Sequence, residues 1–313
     1  MRIVVTGAAG FVGHALVQRL LKDGLAGQPV DQLVLMDLAF ATPPSDARVT
    51  HFAGSIADPA LRQRALAGPV DVVFHLASCP GGLAEKNYAL GRSINLDASL
   101  GLLEDLRAQP QPPRFVFASS VAVYGANLPA VVDEATQPVP ALSYGTHKLI
   151  GEALVADATR LGWVQGCSLR VPAVVARPGE GAGLLSAFMS QLFWCLQAGR
   201  PITVPVSAQG RAWWISVGAC VDNLLQATCI APARLDPRCV YQMPALHLAV
   251  ADVVDALAAR FGADRQALVH YAPDAQIERL FAAYPPLHTP KAQALGFAHD
   301  GSVEVLVARS LEM

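Results

Sequence analysis

A tyrosine and a lysine stand four residues apart in Ser143-Tyr144-Gly145-Thr146-His147-Lys148. On a helix that spacing stacks both side chains on one face. An ammonium beside a phenol favours the phenolate, against an ordinary phenol pKa near ~10, and would let Tyr144 act as an acid or base near neutral pH. Such a pair also arises by chance on ordinary helices. It becomes chemistry only if the chain adds a cofactor site, a group to polarise a substrate and a cleft that excludes water.

The elements that would position the pair are legible upstream. Short β-branched runs at 3–5, 33–36, 49–52, 70–76 and 114–118 alternate with helical stretches, the first at 11–22. Alternation at this spacing predicts βαβ units and an α/β fold, with a parallel sheet covered on both faces. Directly after the first run comes Thr6-Gly7-Ala8-Ala9-Gly10-Phe11-Val12-Gly13. In a strand–turn–helix setting the first glycine permits the turn, the second lets the backbone approach a pyrophosphate, and the third lets the helix pack on the strand. The loop, with Phe11 and Val12 opening the helix, reads as a dinucleotide site in a Rossmann-type doubly wound sheet. Asp37 ends the second strand, where a carboxylate accepts both ribose hydroxyls of NAD and repels the extra phosphate of NADP; the alternative is a turn cap. Leu38 offers no cation for such a phosphate, so NAD is the expected cofactor.

Ser55 and Ile56, after the third run, would flank the adenine, with Asp58 close by. His75-Leu76-Ala77-Ser78 ends the fourth run at the cofactor crevice, where His75 reads as a general base or as a residue packed under the cofactor. The fifth run enters Ser119-Ser120-Val121-Ala122-Val123-Tyr124-Gly125. Hydroxyls at the carboxyl end of a strand in an open sheet sit where ligands bind. A helix predicted over 144–161 starts over the same crevice.

Composition narrows the class. A chain of 313 residues can bury a full core, and a formal charge of −2 without basic clusters argues against nucleic acid as a partner. The six cysteines (Cys79, Cys167, Cys195, Cys220, Cys229, Cys239) form no Cys-x-x-Cys pair and no zinc spacing. They read as free thiols of a reducing compartment, with no metal expected. Met1-Arg2 leads straight into a strand pattern, and there is no run long enough to span a bilayer. A cytoplasmic location and no membrane partner are expected.

Thr-Gly-x-x-Gly-x-x-Gly, the strand-end Asp37, His-Leu-Ala, Ser-Ser-x-x-x-Tyr-Gly and Tyr-x-x-x-Lys, in this order over about residues 1 to 178, resemble the extended short-chain dehydrogenase/reductase superfamily, the NAD-dependent epimerase/dehydratase family. The resemblance implies Ser120 as catalytic serine, Tyr144 as acid/base and Lys148 as the ribose-binding lysine, with Asn95 supporting the site. It further implies cofactor contacts at Leu76, Ala77 and Pro172, and a homodimer. Ser55 departs from the family, many members of which carry aspartate there. Ala173 stands where sugar-nucleotide epimerases usually place an asparagine for the diphosphate.

Leu169-Arg170-Val171-Pro172, the run through Arg177 to Gly179, and the forms of the serine and tyrosine motifs look more like the D-erythronate dehydrogenase group. Those enzymes oxidise a small hydroxy acid at C2 with NAD. Glu180-Gly181-Ala182 departs from the Lys-Pro-Asn usual there, and the stretch 211–218 lacks a later Pro-Arg. The implied reaction is oxidation of a secondary alcohol of a sugar acid. The alternative is a nucleotide-sugar epimerase or dehydratase that keeps NAD bound, and a third reading is a dinucleotide sensor with vestigial catalytic residues.

After Pro172 the βα regularity fades. Residues 1–171 are read as the NAD-binding domain, with 214–243 returning to it, and 172–213 with 244–313 as a smaller, mixed substrate domain. A turn is expected at 179–183, a helix at 184–196, an edge strand at 201–206 and a helix from Val221. Small helices are expected at 250–261, 275–283 and 303–308, and proline-rich turns at 42–44 and 109–113. Arg211 before Trp213 and Trp214 could grip a carboxylate in two bonds while indoles exclude water; packing and surface salt-bridging are the other fates. Ser78, Val121, Ala122, Arg177, Arg211 and Trp214 are the expected substrate contacts.

Overall fold

The computed structural model describes residues 1–42, 45–179 and 185–312. Pro43 and Pro44 of the first proline-rich turn lie outside the described residues, as does 180–184, which holds Glu180, most of the expected turn and the expected start of the next helix.

In chain order the described strands are β1 (Arg2–Thr6), β2 (Gln32–Asp37), β3 (Val49–Ala53), β4 (Val72–His75), β5 (Arg114–Ser120), β6 (Gln165–Val171), β7 (Ala173–Val175), β8 (Ile202–Val204), β9 (Arg211–Ser216), β10 (Val240–Gln242), β11 (Leu246–Ala249) and β12 (Val269–Tyr271). Seven form one sheet in the order β10-β6-β5-β4-β1-β2-β3. Pairings β1 with β2 and β4, β2 with β3, and β4 with β5 are all parallel. Every residue of β4 is buried, as are four of five in β1 and the four central residues of β2. That pattern fits continuous apolar runs in a sheet covered on both faces. The expected Rossmann-type α/β architecture is therefore present.

The chain divides into two compact units. The first holds Met1–Val123, Leu142–Arg170 and Val221–Tyr241; the second holds Tyr124–Ala141, Val171–Cys220 and Gln242–Met313. Two boundaries differ from the sequence reading. Residues 124–141 belong to the second unit, because Val132 bonds to Pro286 and His288 through its backbone and Glu134 caps the helix Pro290–Ala294 through the amides of Lys291 and Ala292. The return to the first unit begins at Val221 rather than at 214, because β9 pairs with β7 and β11.

In the first unit, the helix Ser143–Arg160 lies against β5. At Gly151 a Cβ would come 2.6 Å from the Phe117 ring, so the missing side chain is what allows this approach. In the second unit, Phe188, Leu192, Phe193 and Leu196 of the helix Ala187–Gln197 share a core with Trp214, Val253, Leu257 and Leu306. Burying each such side chain contributes about 1.5–3 kcal/mol. The helices Val250–Phe261, Ala275–Phe281 and Val303–Leu311 fall where their periodicity placed them. The strand expected over 201–206 shortens to β8, and the helix expected from Val221 begins at Val217. No helix among the described residues is long and apolar enough to cross a membrane.

Candidate active site

Sheet order reverses between β1 and β4, and at such a switch point the loops leaving the two strands open a crevice. Gly7 leaves β1 with φ +70°, and a Cβ there would sit 2.7 Å from the amide nitrogen of Ala77. The turn after β1 thus lies against Leu76 and Ala77 at the end of β4. A Cβ on Gly13 would fall 2.0 Å from the Gly7 carbonyl oxygen, so the helix Phe11–Asp23 packs directly on the turn. Gly10 is different: a Cβ there meets only that same oxygen, at 3.2 Å. Gly7 and Gly13 are required by packing, whereas a Cβ on Gly10, at the helix N-terminus, has this one close neighbour. An anion held by that N-terminus fits this arrangement, and no acidic residue occupies the first turn to oppose it.

Beside the loop, the Asp37 carboxylate accepts the amides of Ala9 at 2.8 Å and Leu38 at 2.7 Å. Its position is fixed at the carboxyl end of β2, where a ribose would meet it. Ser55 accepts the Ala57 amide and the Ile56 carbonyl accepts the Arg62 guanidinium, while Asp58 caps the helix Pro59–Ala65 at Ala60. Asp58 is thus committed to a helix end.

His75 is wholly buried and bonded at both ring nitrogens. Ser99 donates its hydroxyl to the Asn95 carbonyl, so it accepts from Nε2 of His75 at 2.8 Å; Nδ1 then accepts from Thr6 Oγ1 at 2.7 Å, and Thr6 accepts the Ala77 amide. Burial, with the nearby Lys148, pushes the imidazole down to about 3. A neutral, doubly bonded ring is a spacer under the crevice and not a base. Asn95, on a π-helical turn, clamps the chain after β4: its Oδ1 accepts the Cys79 amide at 2.7 Å and the Ser78 hydroxyl at 3.2 Å, and its Nδ2 donates to the Cys79 carbonyl. Asn95 is itself 2% exposed.

Tyr144 opens its helix with its ring against Gly81, and Glu85 accepts the Ser143 amide at the helix N-terminus. One turn on, Lys148 is 2% exposed. Its Nζ donates to the Ala118 carbonyl at 2.7 Å and lies 4.8 Å from the centre of the Phe117 ring and 5.7 Å from that of Tyr144. Burial pushes the ammonium down to about 7, and Glu152 opposes that fall. Ser120 ends β5, where its Oγ accepts the Ala122 amide at 3.1 Å. Val121 and Ala122 form the following 3-10 turn.

The first unit therefore carries the glycine loop, Asp37, Ser55, Ile56, Leu76, Ala77, Ser78, Asn95, Ser120, Val121, Ala122, Tyr144 and Lys148 together. Pro172, Arg177, Arg211 and Trp214 belong to the second unit. Pro172 is buried between β6 and β7, and the Arg177 backbone is held by the Ser190 hydroxyl and the Trp194 indole. The Arg211 side chain is exposed. Trp214 corrects its expectation: it is fully buried, with its indole N–H on the Leu248 carbonyl, so it packs the core instead of walling a pocket.

Two residues of this region escaped sequence reasoning. Glu152 continues the four-residue step from Tyr144 and Lys148, a visible signal that passed unused; Glu85 left no signal, because it reaches the tyrosine helix from a different one.

Residues 3–228 match the model of the NAD dependent epimerase/dehydratase family, and the chain belongs to that family. It is an NAD-dependent oxidoreductase of the extended short-chain dehydrogenase/reductase type. Over its whole length it is 37% identical to the D-erythronate dehydrogenase of Cupriavidus necator, covering 98% of that protein. It is 28% identical, again over its whole length, to the D-erythronate dehydrogenase of Haemophilus influenzae, covering 99% of it. Among solved structures, a nucleoside-diphosphate-sugar epimerase from Agrobacterium tumefaciens has a TM-score of 0.92 at 33% identity, covering 98% of this chain and 92% of that one.

Proposed function

We propose that this protein oxidises the C2 hydroxyl of a small sugar acid, D-erythronate or a close analogue, to the 2-oxo acid. The observation that carries the reading is the full-length similarity to two D-erythronate dehydrogenases, which runs through both units of the chain. NAD, when bound, supplies the hydride acceptor.

The chain's own residues do the rest. Gly7, Gly10 and Gly13 shape a turn open to a pyrophosphate, and Asp37 offers its carboxylate to a ribose. Tyr144 takes the hydroxyl proton onto its phenolic oxygen as the substrate carbon gives up hydride. Lys148, held beside the Tyr144 ring, favours the phenolate; its bond to Ala118 uses one of three N–H groups and leaves others for a ribose. Ser120 accepts the Ala122 amide and keeps its own proton for the substrate oxygen. Orientation of the alcohol and acid–base help of this kind each supply a large share of such a barrier.

The test measures NADH formation on a panel of four- to six-carbon hydroxy acids, aldoses and UDP-sugars. D-Erythronate or a near relative is expected to give NADH, and Tyr144→Phe to lower kcat by about 10²–10⁴-fold while NAD binding persists. No NADH from any hydroxy acid, or full activity in the variant, would sink the reading. The second reading, a nucleotide-sugar epimerase with NAD retained, draws on the Agrobacterium likeness; Ala173 counts against it. Turnover of a UDP-sugar without NADH release would favour it.

A further inference from the structure

A buried ammonium persists only beside an opposite charge. The groups facing Lys148 come from three elements. β4 supplies neutral His75; β5 supplies the Ala118 carbonyl and the Phe117 ring. The lysine's own helix supplies Tyr144 one turn before and Glu152 one turn after. Of these, Glu152 alone is a carboxylate.

Glu152 is itself clamped. The Ser119 hydroxyl donates to its Oε1 at 2.6 Å, and the Arg170 guanidinium closes a fork on both oxygens, Nε to Oε1 at 2.9 Å and Nη2 to Oε2 at 2.8 Å. All three residues are buried, at 2%, 3% and 9% exposure for Ser119, Glu152 and Arg170. An acid held from two strands cannot swing toward Lys148 or away from it. It acts as a fixed charge one turn from the ammonium and two turns from the phenol, so it stabilises the cation more than it disfavours the phenolate.

We propose that Glu152, locked between Arg170 and Ser119, is a positioning residue that keeps Lys148 charged beside Tyr144 and thereby maintains the acid–base pair. The inference rests on the assignment of Tyr144 and Lys148 made above. The lowered proton affinity of Lys148, which Glu152 opposes, agrees with it.

The experiment compares pH profiles of kcat for Glu152→Gln and for the double variant Glu152→Gln with Arg170→Met, which removes the carboxylate without stranding a guanidinium. Both are expected to keep KM for NAD within about twofold, to lose up to about tenfold in kcat at neutral pH, and to move the alkaline limb to lower pH by about one unit as Lys148 deprotonates earlier. A folded variant with the parent profile and kcat would overturn the inference. Should neither variant fold, Ser119→Ala removes one strut of the clamp; a smaller shift in the same direction supports the role, and an unchanged profile overturns it. Tyr144→Phe separates the two levels. Activity retained there defeats the underlying assignment, whereas an inactive Tyr144→Phe beside normal Glu152 variants defeats this inference alone.

Discussion

His75 and Lys148 are both buried, and burial makes both hold their protons less tightly than in water, but with different results. Lys148 is left near the middle of its titration, at about 7, where a neighbouring charge changes its state. His75, at about 3, stays neutral across the working range and serves as a bonded spacer between Thr6 and Ser99. The sign of its contribution follows from linkage. The folded pKa lies below the ordinary value of 6.5, so between the two the unfolded chain binds a proton that the folded chain refuses. Stability from this residue is complete above 6.5 and is lost as pH falls toward 3. Denaturant titrations from pH 7 to 4 are expected to show that slope, and His75→Asn to flatten it while lowering stability at pH 7 by about 1–3 kcal/mol, the cost of leaving buried partners unmet. An equal slope in the variant would assign the effect elsewhere.

At the scale of elements, the glycine loop separates two jobs that its spacing alone blends. Gly13→Ala drives a methyl into the Gly7 carbonyl, so it is expected to lower thermal stability of the free protein and NAD affinity together. Gly10→Ala meets only the Gly7 carbonyl oxygen, at 3.2 Å, and is expected to cost about 1 kcal/mol or less in the free protein, yet to weaken NAD binding at least tenfold. Melting curves with and without NAD distinguish the two. The loop, the strands and the Tyr144 helix were legible because period and turn chemistry are local properties of the chain. Residues 124–141 were not, since their place depends on backbone bonds to Pro286 and His288, far along the sequence. Trp214 misled for a related reason: an aromatic beside an arginine reads alike in a pocket and in a core, and only the burial set by β7, β9 and β11 decides. Glu85 and the His75 chain of bonds likewise come from pairings that no spacing encodes.

At the scale of the molecule, each unit is assembled from three separate stretches, and the chain passes between them at Val123, Ala141, Arg170, Cys220 and Tyr241. A fragment ending at Val171 keeps the glycine loop, Asp37, Ser120, Tyr144 and Lys148 but lacks β10 and the helix Val217–Cys229. Without β10, the polar groups along one edge of β6 are left without their strand partner. The fragment 1–171 is therefore expected to be poorly soluble and to show no cooperative melting transition; a soluble fragment that melts cooperatively and binds NAD would refute this. Interleaving of this kind also bears on how such a protein can diversify. A single recombination point anywhere in the middle of the gene divides both units at once, so whole-domain exchange is closed to it. Change must instead accumulate by point substitution and short loop changes within the separate stretches of each unit.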